Sequence, residues 1–190
     1  MGVMTDLESR SHELLFGVRR SVRYHRRRAR FFDMWGKWTN GLNIIFGSTA
    51  AAALVGSRAV LGAIAAGLVA VVSTVDIIIG TSSVARDHTD LARRFIELER
   101  EMALAKAHSE DQLREFTGKR LAIEADEPDI MGMLDVLCHN DLAKAEGQPR
   151  DHLYKVGWLK RLLSQIVNFD TDGLKALPPV ENKKLSAQVK

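Results

Sequence analysis

The spacing of apolar positions changes character along the chain. Leu14, Val18, Val22, His25, Ala29 and Phe32 recur at alternating steps of four and three, which is the stripe of one amphipathic helix. Two apolar runs follow, residues 38–57 and 59–79, meeting at the short tip Gly56-Ser57-Arg58. The first carries no ionisable side chain and the second only Asp76. About 20 mostly apolar residues at 1.5 Å rise cross a hydrocarbon core of about 30 Å, so the pair predicts a transmembrane helical hairpin. Past Gly80, with Thr81-Ser82-Ser83 as a loosened turn, Val84, His88, Leu91, Phe95, Leu98, Met102 and Ala105 follow in heptad steps. They predict a coiled-coil-like partner for the first helix. Leu113, Phe116, Leu121 and Ile123 continue that helix past a polar patch at 108–112.

Pro128, after Asp126 and Glu127, reads as the first turn of a helix over 128–146 that Gly147 and Pro149 end. A last amphipathic helix is expected over 151–169 through Leu153, Val156, Leu159, Leu162, Leu163 and Ile166. With Trp158, Lys160 and Arg161 it would suit the membrane surface or close the bundle, and packing on the bundle is favoured. The pattern as a whole predicts an all-α chain. Residues 1–34 form a basic amphipathic cytoplasmic helix and 35–80 the two-transmembrane hairpin. Residues 81–169 form a cytoplasmic helical bundle or coiled-coil-like region, and 170–190 a flexible tail. The competing architecture is a soluble helical adaptor with the apolar pair as its core, because Ala-rich stretches such as 49–53 are only weakly lipophilic.

Charge sharpens the topology. The net charge is only +3, but Arg19, Arg20, Arg23, Arg26, Arg27, Arg28 and Arg30 lie in one block without an acid among them. Beside an apolar run, such a block predicts a membrane-surface basic patch for anionic headgroups on the cytoplasmic side. The tip opposes it with Arg58 alone, so both termini are expected in the cytoplasm. The block would also suit a nucleic-acid arm with Tyr24 as a stacking ring. Adjacency to the apolar run favours lipid, and no nucleic-acid partner is expected. Trp35 and Trp38 are the expected interfacial aromatics, with Lys37 snorkelling beside them. The single cysteine, Cys138, excludes a disulfide framework and suits a reducing interior. The first run starts too far from Met1 for a cleaved leader, so insertion is expected to use that run itself as its signal.

Candidate chemistry is sparse. The sequence holds no Gly-rich phosphate loop, no His-Glu-x-x-His and no nucleophile elbow. In Cys138-His139-Asn140, neighbouring helical residues point about 100° apart, so thiol and imidazole cannot face each other. No enzyme activity, cofactor or metal is predicted. Polar residues do line one face of each run, Asn40 and Asn43 in the first and Ser73 and Asp76 in the second. Folding at Ser57 and Arg58 sets Asp76 level with Thr39 and Asn40, and Ser73 level with Asn43. That arrangement is either a hydrogen-bonded seam or, in an assembly of several hairpins, the lining of a water-filled path. His25 and His88 fall on the helical stripes, where a buried, hydrogen-bonded role is expected.

The chain resembles the SLATT domain, the two-transmembrane effector module of bacterial conflict systems. The resemblance rests on Tyr24-His25-x-x-Arg28-Ala29 before the span and on the heptads of Leu91, Phe95, Leu98 and Met102 after it. Further along it rests on Glu124-Ala125-Asp126-Glu127-Pro128 and Leu134-Asp135-Val136-Leu137-Cys138-His139-Asn140. It covers about residues 14–146. It implies an inner-membrane effector that oligomerises to form a pore or perturb the membrane when a sensor protein or nucleotide signal triggers it. The alternative is a non-conducting anchor that recruits a partner through its cytoplasmic helices.

Overall fold

The structure, a computed structural model, describes residues 6–105 and 109–178. It is all-helical: α1 (Asp6–Val55), α2 (Ala59–Ile79), α3 (Thr81–Leu104), α4 (Glu110–Glu124), α5 (Gly132–Ala145), a 3-10 turn (Arg150–His152) and α6 (Trp158–Leu163). Among the described residues there is no strand, only one antiparallel bridge between Tyr154 and Ala176.

The amphipathic stripe and the first apolar run belong to one helix, α1, 50 residues long. No proline separates them, and Gly36 alone does not stop a helix with good formers on both sides. The chain turns where Gly56 N–H donates to Ala52 O and Arg58 N–H to Ala53 O, at 3.0 and 2.8 Å, with Ser57 at φ 58°. The 21-residue α2 then runs back along the last part of α1. A Cβ on Gly62 would stand 3.4 Å from that of Ala53, and Asn43 meets Ser73 further on. Gly80 takes a left-handed conformation, φ 62°, and its N–H closes on Asp76 O before α3 starts at Thr81.

The helical stretch Ala59–Leu104 holds a segment long and apolar enough to cross a membrane, and only 11% of that segment is buried within the chain. The run at 38–57 falls short of this standard, so the described residues contain one such span where two were expected. Asn40 and Asn43 interrupt the first run, and its Gly, Ser, Thr and Ala side chains contribute little apolar surface.

Packing divides the described residues into two units, 6–24 with 93–105 and 109–178, and 25–92. In the first, Leu14, Val18 and Val22 of α1, Phe95, Leu98 and Met102 of α3 and Met133, Leu134, Leu137 and Leu142 of α5 are buried. The predicted continuation of α3 past 108–112 is instead a new helix. Ser109 Oγ accepts from Gln112 N–H and Gln112 Oε1 accepts from Ser109 N–H, a capping box that starts α4. The helix expected from Pro128 begins only at Gly132. Met131 N–H donates to Tyr24 Oη at 2.9 Å and Gly132 N–H to Asn168 Oδ1 at 3.0 Å, so side chains distant in sequence satisfy the first amides.

The predicted helix over 151–169 shrinks to the six residues of α6. Asn140 captures the backbone of Tyr154 on both sides: Tyr154 N–H donates to Oδ1, and Nδ2 donates to Tyr154 O, each at 2.8 Å. Lys155 N–H donates to Lys175 O and Leu177 N–H to Leu153 O, holding this stretch extended. The expected tail is therefore hydrogen-bonded as far as Leu177, and 179–190 lies outside the described residues.

The second unit contains the rest of α1, all of α2 and the first part of α3. Its buried side chains include Tyr24's neighbour His25, and Thr39, Ala53, Ala65, Thr81, His88 and Leu91.

Candidate functional site

The polar seam predicted between the apolar runs forms only in part. Asn43 Nδ2 donates to Ser73 Oγ at 3.0 Å, the pairing expected from folding at the tip. Asn43 Oδ1 is buried and has no hydrogen-bond partner among the described residues. Asp76 pairs with neither Thr39 nor Asn40. Its Oδ1 accepts from the Thr81 hydroxyl at 2.6 Å, while the Thr39 hydroxyl donates to Gly36 O at 2.9 Å. The break at Gly80 brings Thr81, buried to 1% exposure, back onto the carboxylate. Thr81 is thus a seam residue that sequence spacing missed. Its signal was a hydroxyl one residue past a glycine that ends a helix.

Asn40 and Asp76 instead border an open recess of about 450 Å³. Arg30, Lys37 and Arg86 also line it, together with the ring of Phe32. Gly36 lets α1 pass close to Thr81, whose Oγ1 would lie 3.3 Å from a Cβ at that position. Trp35 and Trp38 are both exposed.

His25 and His88 meet at 2.9 Å through their Nδ1 atoms, both rings buried. One ring donates its N–H to the other's lone pair, so the pair is satisfied while both rings are neutral. Burial, then His25, then Arg28 pull the His88 pKa down to about 4. Phe32 stacks on His88 with centroids 6.1 Å apart, and the Arg28 guanidinium lies 4.6 Å from the Phe32 ring centre.

The arginine block does not present itself as one basic patch. Arg19 Nε donates to Glu99 at 2.8 Å and its Nη1 to Glu146 at 3.1 Å, and the Glu99 hydrogen bond raises its pKa. Arg20 Nε lies 3.1 Å from Asp135, whose carboxyl burial pushes up while Arg20 opposes the shift. Arg23 donates to Arg19 O. Arg27 is half-buried and Arg28 packs on Phe32, which leaves only Arg26 and Arg30 exposed. The acids that match Arg19 and Arg20 come from α3 and α5 and from the residue ending α5, so no local pattern announced them.

Leu91, Phe95, Leu98 and Met102 are all buried within the chain. The heptad stripe is therefore packed within the chain, the bundle role of the two, bundle and oligomer, expected for it. Cys138 is buried with Tyr24 and Leu134. His139 Nε2 lies 3.0 Å from His152 O and its ring meets Phe16 edge-on, while Asn140 holds Tyr154. The three residues thus serve three separate packing contacts. Comparison of the chain with protein-family models, with curated proteins and with solved structures gives no match.

Proposed function

We propose that the chain is a bacterial inner-membrane effector of an anti-phage or conflict system, in keeping with its resemblance to the SLATT domain. In this reading the last part of α1 and all of α2 cross the bilayer as a hairpin with both termini in the cytoplasm. Copies assemble and open or perturb the membrane when a sensor partner or nucleotide signal acts on the cytoplasmic helices. The observation that carries it is the apolar segment beginning at Ala59, of which only 11% is buried. Val60, Ile64, Val71, Ile77 and Ile78 of α2 and Ile44, Ile45 and Leu54 of α1 are exposed together, an apolar surface that lipid satisfies and water does not. At 1.5 Å per residue, α2 spans about 31 Å, the thickness of a hydrocarbon core. The unmatched Asn43 Oδ1 and exposed Asn40 supply polar groups for a lining once copies meet.

Two measurements test this. The chain is expected in the detergent-dependent fraction after alkaline washing of membranes, and recovery in the aqueous supernatant would exclude the membrane reading. Induction is expected to depolarise cells carrying a potential-sensitive dye, and unchanged depolarisation by the Asn43→Leu/Asp76→Leu variant would remove these residues from the path.

A non-conducting anchor is the second reading, and α6 favours it. Trp158, Leu159, Leu162 and Ile166 are all at least half exposed, a patch open to a partner protein. An anchor would reach the membrane without depolarising it.

A further inference from the structure

We propose that the recess bordered by α1 and the start of α3 is a binding site for a phosphate ester, gripped by Arg30 and Arg86. The two arginines reach one cavity of about 450 Å³ from different helices. Arg86 makes no hydrogen bond or ion pair among the described residues. Arg30 donates only from Nε, to Arg26 O at 3.3 Å, so its terminal guanidinium nitrogens are open to a ligand. Two acids share the lining, and both are engaged. Asp33 holds Lys37 Nζ at 2.7 Å, and Asp76 accepts from Thr81. The Thr81 hydroxyl brings Asp76 no counter-charge, so the lining sets three cations (Arg30, Lys37, Arg86) against two acids (Asp33, Asp76) and keeps a formal charge of +1. The two guanidinium forks are the cations that no acid holds, and their planar donor pairs match phosphate oxygens. Ser82 and Asn40 on the same lining add neutral donors for the ester oxygens. The volume exceeds that of a bare phosphate and admits its substituent.

The occupant's source follows from position. Exposed Met34, Trp35 and Trp38 follow Arg30 on α1, and exposed apolar residues continue from there along α1 and α2. That is the level at which a lipid phosphate sits if the membrane reading holds. The lipid source rests on that reading, whereas the phosphate chemistry does not.

Purified full-length protein in phospholipid-free detergent is titrated with glycerol phosphate and with phosphatidylglycerol in mixed micelles, and binding is read from 31P resonance shifts. The expected result is saturable binding in the lipid arm, weakened at least tenfold in Arg30→Gln/Arg86→Gln. Arg26→Gln, an exposed arginine outside the recess, is expected to leave it unchanged. Binding of glycerol phosphate alone, lost in the double variant, supports the site with a soluble phosphate ester as its ligand. It does so even for a protein that proves soluble without detergent. Silence in both arms, or a double variant that binds like the parent, overturns the proposal.

Discussion

Burial makes His88 a weak base, and that fixes the sign of one pH dependence. Its folded pKa is about 4, against about 6.5 for an unfolded histidine. The folded state therefore prefers the neutral ring. This contribution to stability is complete above pH 6.5 and is lost as the pH falls from 6.5 toward 4, with no further loss below. At about 1.4 kcal/mol per pKa unit, the loss amounts to about 3 kcal/mol. Denaturant midpoints between pH 7 and 4 are expected to fall accordingly, and His88→Gln is expected to flatten that slope. Arg19 gives a second test at this scale, because it alone matches both Glu99 and Glu146. Arg19→Ala is expected to cost about 1 kcal/mol, read from the same midpoints, since its ion pairs are half-exposed. Arg26→Ala, at an exposed position, is expected to cost close to nothing by that measurement.

The element that most depends on a single side chain is the extended stretch around Tyr154. Asn140 is 5% exposed and supplies both hydrogen bonds to that residue's backbone. Asn140→Ala leaves the part-buried carbonyl and amide of Tyr154 without their partner and is expected to cost about 1–2 kcal/mol. Amide exchange at Tyr154 and Leu177 is expected to speed up more than exchange in α5. The same contact explains why the predicted helix over 151–169 failed. Leu153, Val156, Leu159 and Leu162 carry a helical period, but the amide that overrides it sits in the preceding helix. The helix expected at Pro128 failed for a like reason, because Tyr24 and Asn168 reach in from far along the chain. Where contacts are local the sequence was readable. The stripe of α1, the turn at Gly56-Ser57-Arg58 and the level of Asn43 with Ser73 all follow from spacing. The partner of Asp76 did not, since it depends on the left-handed Gly80 returning Thr81 to the carboxylate.

For the whole molecule, the proposed topology places Arg58 on the far side of the membrane from both termini. Arg58→Cys is expected to react in intact cells with a thiol reagent that cannot cross the membrane. Cys138, the only native cysteine, is buried and is expected to stay silent. Reaction only after permeabilisation would reverse the topology. The division into two units carries a consequence for synthesis. The unit that begins with 6–24 takes its remaining residues from 93 onward, while 25–92 is contiguous. A growing chain therefore leaves the ribosome with Leu14, Val18 and Val22 bare, and they stay bare until translation has delivered Phe95, Leu98, Met102 and the helix that ends at Ala145. The apolar segment from Ala59 is complete long before that closure, so under the proposed topology membrane insertion precedes the packing of the N-terminal helix, whose apolar stripe waits uncovered in the interval.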